Sequence, residues 1–369
     1  MRVKLKDITK FSKGTQINGK NLIDDGAYSY LNGGINPSGK WNEFNVAENT
    51  VTISEGGNSS GYVNYMSKAF WCGAHCYYLY DGPKNSKYLY YALKSQQERL
   101  FRIRSGACMP NIKKSDLGNF IIEYEEDETQ QEEVVKVLEK CELLIEDYNK
   151  KLALLDEAVR ARFVEMFGDE NNSKGWEIVN IEDVVNVQVG VVIKPSQYYT
   201  NQYNGIKAFR SLNIGNGYIK DDDWVYFSKE GNKKNKKSIL STNDVLVVRS
   251  GAPGTACVVT SEYAGSNAID VIIAHPDFQK VDSHYLCTYT NMPHGKSQII
   301  EGTGGAAQQH FNVGKYNKLK LMLPPLEYQK QYVKFLEEID KSRLLNICLK
   351  SLVESVLKIR IFSEYKKSS

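Results

Sequence analysis

The spacing of apolar residues divides the chain into rods and globular stretches. From Val134 the apolar positions fall at Val134, Leu138, Cys141, Ile145, Tyr148, Leu152, Leu155 and Val159, in alternating steps of four and three. That is a heptad seam, the stripe along which one helix meets another; Phe163 and Phe167 extend it. Thr129 followed by Glu132 predicts a capping box at the start, and Gly168 predicts the stop. About forty residues at roughly 1.5 Å each make a rod on the order of 60 Å, too long for the surface of a small domain. Pro324-Pro325 predicts an abrupt start to a second helix. Its early seam is interrupted by Arg343 and Asn346, and the four-three spacing resumes at Leu345, Leu349, Leu352, Val356 and Ile359. Two such helices are expected to pair, at least cost with each other; two separate dimerising coiled coils are the alternative.

Outside the rods the pattern is that of short strands with turn punctuation. Val245–Val248 and Ile269–Ile273 read as buried strands. Phe70 to Tyr80 alternates as an aromatic-rich strand, and Tyr88 to Arg102 reads as a helix. Turns are expected at Gly33-Gly34, Gly56-Gly57, Gly215-Asn216-Gly217 and Gly251-Ala252-Pro253-Gly254. Each globular part has roughly 120–150 residues, enough for its own core.

The chain also repeats itself. Residues 131–163 align without gaps on 329–361, so that Gln131, Val135, Lys136, Leu138 and Glu139 match Gln329, Val333, Lys334, Leu336 and Glu337. Leu154, Leu155, Ala158, Arg160 and Arg162 likewise match Leu352, Val353, Val356, Lys358 and Arg360. Leu5-Lys6-Asp7-Ile8 resembles Ile181-Glu182-Asp183-Val184. The chain is therefore two copies of one unit, a globular part followed by a helix.

Composition narrows the classes. With 369 residues, 41% hydrophobic and 25% charged, the chain is globular and multidomain. It contains no apolar run long enough to span a bilayer. Met1 to Lys6 carries no apolar core of a signal peptide, and seven cysteines do not make a disulfide framework, so a cytoplasmic protein is expected. The net charge of +3 conceals a segregation: +7 over residues 1–120, −10 over 121–170, +3 over 171–325 and +3 over 326–369. A polyanion would be held by the globular parts and repelled by the first rod.

Catalytic patterns are missing. The only double proline, Leu323-Pro324-Pro325-Leu326, lacks the polar residue and the aromatic of an amino-methyltransferase loop. There is no phosphate-cradling Walker loop and no Gly-x-Ser-x-Gly. Gly215 and Gly217 lack a third glycine, and Pro276-Asp277 with Lys280 lacks the acidic residue of a nuclease triad. Cys72, His75 and Cys76 have no second ligand pair at zinc spacing, so a buried strand accounts for them better.

Binding chemistry is present instead. Lys229, Lys233, Lys234, Lys236 and Lys237 crowd one polar segment, expected as a loop that neutralises phosphates. Arg99, Arg102 and Arg104 form a second basic cluster. Gln16 and Asn18, and Gln308, Gln309 and His310, bring amides and a ring to polar turns; Asn and Gln can read adenine, and Arg guanine. Lys13, Lys20, Lys194, Arg210 and Arg249 complete the candidate DNA-contacting set. Leu138, Ile145, Leu152, Leu155, Val159, Phe163, Phe167, Leu345, Leu349, Leu352 and Val356 are the expected helix-packing or partner-facing set. Two similar basic parts held apart by acidic rods suit reading of two half-sites; a coiled-coil scaffold with only non-specific DNA affinity is the second reading.

Residues 152–169, ending Arg162-Phe163-Val164-Glu165-Met166-Phe167-Gly168, resemble the central conserved region of the specificity subunits of type I restriction-modification systems. Leu323-Pro324-Pro325-Leu326-Glu327-Tyr328-Gln329 resembles that family's approach to its distal helix; in the first copy Glu123 to Glu128 replace the prolines. The resemblance implies an α+β fold in which two similar mixed α/β target recognition domains are separated by two long helices forming an antiparallel coiled coil with pseudo-twofold symmetry. The domains would be residues 1–122 and 171–323, and the helical spacers 123–170 and 324–369. It implies a non-catalytic subunit that reads a bipartite site in double-stranded DNA. Two methyltransferase subunits and the restriction subunits would dock on it. S-adenosylmethionine, ATP and Mg2+ would belong to those partners, with no cofactor in this chain and no membrane association.

Overall fold

The computed structural model describes residues 1–106, 108–303 and 311–363. The chain divides into two compact units, Met1–Lys150 with Asn346–Ser369, and Lys151–Leu345. Each unit holds one globular lobe and part of each of two long helices, Glu128–Phe167 and Leu326–Ser363.

The lobes repeat strand for strand. In the first, Lys10–Lys13, Cys76–Tyr80, Thr50–Ser54 and Val63–Met66 lie side by side in that order in one antiparallel sheet. In the second, Val185–Val189, Val271–Pro276, Val245–Val248 and Ala256–Val258 take the same order and the same sense. A smaller sheet in the first lobe pairs Gly39–Trp41 with Tyr28–Leu31, and Tyr28–Leu31 runs parallel to Phe70–Cys72. The second lobe repeats it with Val225–Phe227, Ile206–Phe209 and Asn267–Ala268, and adds Tyr199–Thr200 outside Val225–Phe227. A two-stranded ladder also recurs: Arg2–Lys4 with Ile121–Glu123, and Ile178–Asn180 with Lys320–Met322.

Val245–Val248 is apolar at every position because both faces of its sheet are covered. Val245 and Val247 enter one core with Phe163, Tyr285 and Tyr332, and Leu246 and Val248 enter another with Phe209 and Ile273. The expected strand from Ile269 instead begins at Val271, because Asp270 sits at φ +48 and turns the backbone before it. Phe70 to Tyr80 is two strands in two sheets, broken at Gly73, Ala74 and His75. The expected helix from Tyr88 to Arg102 is also two, Ser86–Lys94 and Gln97–Arg102. At the break Ser95 Oγ bonds back to the Ala92 carbonyl, and the Gln96 N–H reaches Leu93 rather than continuing the helical ladder.

The first long helix starts on Asp127, not on a Thr129–Glu132 box. The Asp127 carboxylate accepts the N–H groups of Thr129 (2.8 Å) and Gln130 (3.4 Å), and these bonds hold its pKa below the usual carboxylate value. Gly168, at φ +88, ends the helix with its N–H on the Val164 carbonyl. The heptad stripe is the covered one: Leu138, Cys141, Phe163 and Phe167 are buried, and Ile145, Leu152, Leu155 and Val159 partly so.

In the second unit the two helices run antiparallel. Asp156 meets Arg343 at 2.5 Å, whereas Val159, Phe163 and Phe167, later in the first helix, meet Tyr332, earlier in the second. The covered stripe of the second helix is Gln329, Tyr332, Leu336, Ile339, Arg343, Asn346, Lys350, Val353 and Leu357, itself a three-four repeat. The stripe expected to pack is turned outward: Leu345 is 60% exposed, Leu349 36%, Leu352 62% and Val356 39%. Arg343 and Asn346 do not interrupt the seam; they continue it. Among the described residues no helix is long and apolar enough to cross a membrane.

Candidate nucleic-acid interface

The lysine-rich segment of the second lobe is a built element rather than the expected loop. Lys229–Lys234 forms a short helix followed by a 3-10 turn, Lys236–Ser238. Ser228 caps it, its Oγ accepting the Gly231 N–H at 3.0 Å. Gly231, Asn232 and Ser238 are buried and point inward, while Glu230 stays exposed with the lysines. A Cβ on Gly231 would lie 2.8 Å from Tyr198 Cβ, so only glycine lets the helix pack on the turn Pro195–Tyr198. Buried Asn267 donates to Asn232 Oδ1 at 3.0 Å, and its own Oδ1 accepts Ser238 Oγ–H at 2.7 Å. Lys229, Lys233, Lys234, Lys236 and Lys237 remain exposed, and among the described residues none forms an ion pair. Lys194, exposed at φ +44, opens the turn on which Gly231 packs, so the fold gathers it with this set.

Two other candidates are spent on the fold. Arg249 is 8% exposed; it binds the Phe311 carbonyl at 3.0 Å and Asp270 Oδ1 at 2.7 Å. Buried and paired, it holds a turn. Arg210 donates to the Asp223 carbonyl and pairs with its carboxylate at 3.3 Å, tying down the loop before Val225–Phe227. Nearby, Lys207 pairs with Asp221 at 2.6 Å over the rings of Trp224 and Tyr263, and these bonds lower the Asp221 pKa.

In the first lobe Lys13, Gln16, Asn18 and Lys20 share one exposed stretch after strand Lys10–Lys13. Lys13 pairs with Glu55 at 2.5 Å, and Asn18 caps the turn Gly19–Asn21. Gln16 bonds the neighbouring Ile17 carbonyl at 3.2 Å. Arg102 is exposed on helix Gln97–Arg102. Arg99 lies 5.1 Å from the Phe120 ring and bonds Gln96, and Arg104 bonds the carbonyls of Phe101 and Asn58. Gln308, Gln309 and His310 lie outside the described residues.

Pattern reading missed several exposed side chains on turns of the second lobe. Ile193 is 79% exposed, Tyr203 85% and Tyr218 58%, on turns that offer flat or apolar faces to a base. The signal was there in Asn201-Gln202-Tyr203-Asn204 and Gly215-Asn216-Gly217-Tyr218, polar turns that end on an aromatic or surround one. Among the described residues no three His, Cys, Asp or Glu side chains gather as a metal site. Buried Cys72 bonds the Cys76 carbonyl, and His75 lies 3.5 Å from Glu55. The arrangement is suited to holding a polyanion by charge and stacking.

The family model described as the type I restriction modification DNA specificity domain matches residues 1–155 and 173–354. A type I specificity subunit of Mycoplasma pneumoniae is 37% identical over 149 residues, 40% of this chain and 40% of its own length. The specificity subunit of the MjaVIII type I restriction enzyme of Methanocaldococcus jannaschii is 23% identical over 69% of this chain and 63% of its own length. Both matches span less than two thirds of those relatives. The crystal structure of a type I restriction-modification S subunit from M. genitalium superposes with a TM-score of 0.60 at 18% identity, covering 98% of this chain and 94% of that one. A structure addressing complex assembly and conformational transition of a type I system gives 0.61 at 13% identity, covering 98% and 96%. These two likenesses concern the fold.

Proposed function

The chain belongs to the type I restriction modification DNA specificity family, and from that premise we propose that it selects a bipartite DNA site for other subunits to act on. Each lobe would read one half-site, and the paired helices would set the unread distance between them. The observation that carries the reading is the duplication: two lobes with one strand order, each joined to long helices. A duplicated reader on a stiff spacer matches two half-sites at a set distance.

The outward stripe of Leu345, Leu349, Leu352 and Val356 supports docking of partner proteins, because apolar side chains aligned along a helix and left in water mark an interaction face. Two methyltransferase subunits, and restriction subunits where present, are the expected occupants. S-adenosylmethionine, ATP and Mg2+ would come with them, and this chain would supply recognition rather than catalysis.

The test is an exchange. Residues 171–323 are replaced by the corresponding lobe of another family member, and the chimera is expressed with its methyltransferase subunit. Mapping of methylated sites is expected to show one half-site altered and the other kept. A change in both halves, or in neither, would defeat the assignment of one half-site per lobe. DNA binding that is weak and indifferent to salt would favour a protein scaffold instead.

A further inference from the structure

The two lobes are equal in strand order but not in the connection that follows the middle strand pair. In the first lobe residues 42–49 join Gly39–Trp41 to Thr50–Ser54, and they contain Glu43, Glu48 and no lysine. In the second, residues 228–244 join Val225–Phe227 to Val245–Val248; they contain five lysines against Glu230 and Asp244. Asp244 is 3% exposed and bonded to His275 at 2.6 Å, so it is directed into the fold and not toward the lysines' open side.

We propose that this pinned lysine element is a preorganised clamp for the phosphate backbone, present in the second lobe only, so that the two lobes grip DNA unequally. The inference rests on the DNA-recognition reading above and goes beyond it in assigning the concentrated, pinned part of the electrostatic grip to the second lobe, even though residues 1–120 carry a net +7 and residues 171–325 only +3.

Three features fit the clamp. Its lysines lack carboxylate partners among the described residues, so their charge is available. The inward face, Ser228, Gly231, Asn232, Asn235 and Ser238, is bonded to buried Asn267 or packed on Tyr198. That anchoring removes backbone freedom before binding, so less entropy is lost when phosphates are met. A flexible lysine loop would need no buried amide network. Lys194 widens the positive face from the neighbouring turn. Phosphate contacts carry affinity and register but no sequence, so the first lobe would depend more on its base contacts.

The test uses the full chain and a mixed-sequence duplex of about three helical turns, with affinity measured across a salt series. Wild type is expected to bind with a steep salt slope. Replacing Lys233, Lys234, Lys236 and Lys237 by Ala is expected to flatten that slope by about 3–4, at roughly 0.9 for each phosphate no longer neutralised, and to weaken binding at least tenfold. Replacing the exposed Lys4, Lys40, Lys68 and Lys113 of the first lobe by Ala removes equal charge and is expected to change the slope by less than about 1. Arginines at the four second-lobe positions should restore the slope. If wild type does not bind duplex, or binds without salt dependence, the DNA-recognition reading itself fails. If wild type binds steeply but the two alanine sets act alike, or the second-lobe set does nothing, the unequal clamp is overturned and recognition stands.

Discussion

Gln131 and Gln329 occupy matching places in the two copies and are both buried. Gln329 donates to the carbonyls of Lys280 and Pro324 and accepts the Asp282 N–H, so it ties its helix to the lobe on three sides. Gln131 donates to Tyr124 Oη and the Glu125 carbonyl. Gln329→Leu leaves three backbone groups without partners inside the protein. It is expected to destabilise the second unit by about 2–4 kcal/mol, and Gln131→Leu the first unit by less, read as shifts in urea midpoints followed by a fluorescent label in each unit. Buried tyrosines make a second point at this scale. Burial pushes Tyr77 and Tyr90 up to about 12. A raised folded-state pKa means the unfolded chain loses its protons first, so this stabilisation is intact below about pH 10 and is lost as pH rises toward 12. Alkaline titration followed by tyrosinate absorbance should show a late phase that coincides with unfolding; ionisation of all tyrosines near pH 10 without unfolding would contradict it. Arg249 shows where residue-level reading from sequence fails. An arginine after a strand and before a glycine turn looks the same whether it meets a phosphate or the half-exposed Asp270, and only the fold decides.

At the scale of elements, the first long helix was legible because its covered stripe is apolar throughout its early half. The second was misread because its covered stripe carries Gln329, Arg343, Asn346 and Lys350 while leucines stand outside. Apolar residues on a helix mark a face suited to being covered, which need not be the face covered within the chain. The two faces therefore predict different phenotypes. Leu345→Glu with Leu352→Glu is expected to leave the chain folded, its circular dichroism and melting midpoint little changed, while co-purification with the methyltransferase subunit is lost. Leu336→Glu, which places a charge in the core shared with Phe163 and Tyr332, is expected to unfold the second unit outright. Co-purification unaffected by the leucine pair would remove the stripe as the docking face. The lysine element was misread for a related reason. Its inward contacts are Ser, Gly and Asn, which look like loop composition until Asn267 is seen beneath them.

For the whole molecule, the repeat detected in the helices and in Leu5–Ile8 and Ile181–Val184 extends to the strand order of both lobes. Strand order survives where surface residues diverge because burial constrains the sheet faces, while loops answer only to what they bind. If the helices measure the gap between two half-sites, their length is a physical variable that can be edited. Removing seven residues from the first helix and the facing seven from the second keeps the four-three seam in phase. The rod then loses about 10 Å, which is about three base pairs of DNA rise. The expected outcome, in a chain expressed with its methyltransferase subunit, is methylation at sites with the same two halves and a spacer shorter by about three base pairs. Removing four residues instead would rotate the seam off its partner and should cost stability before it changes any spacer. An unchanged spacer in a folded seven-residue deletion would mean that something other than these helices sets the distance.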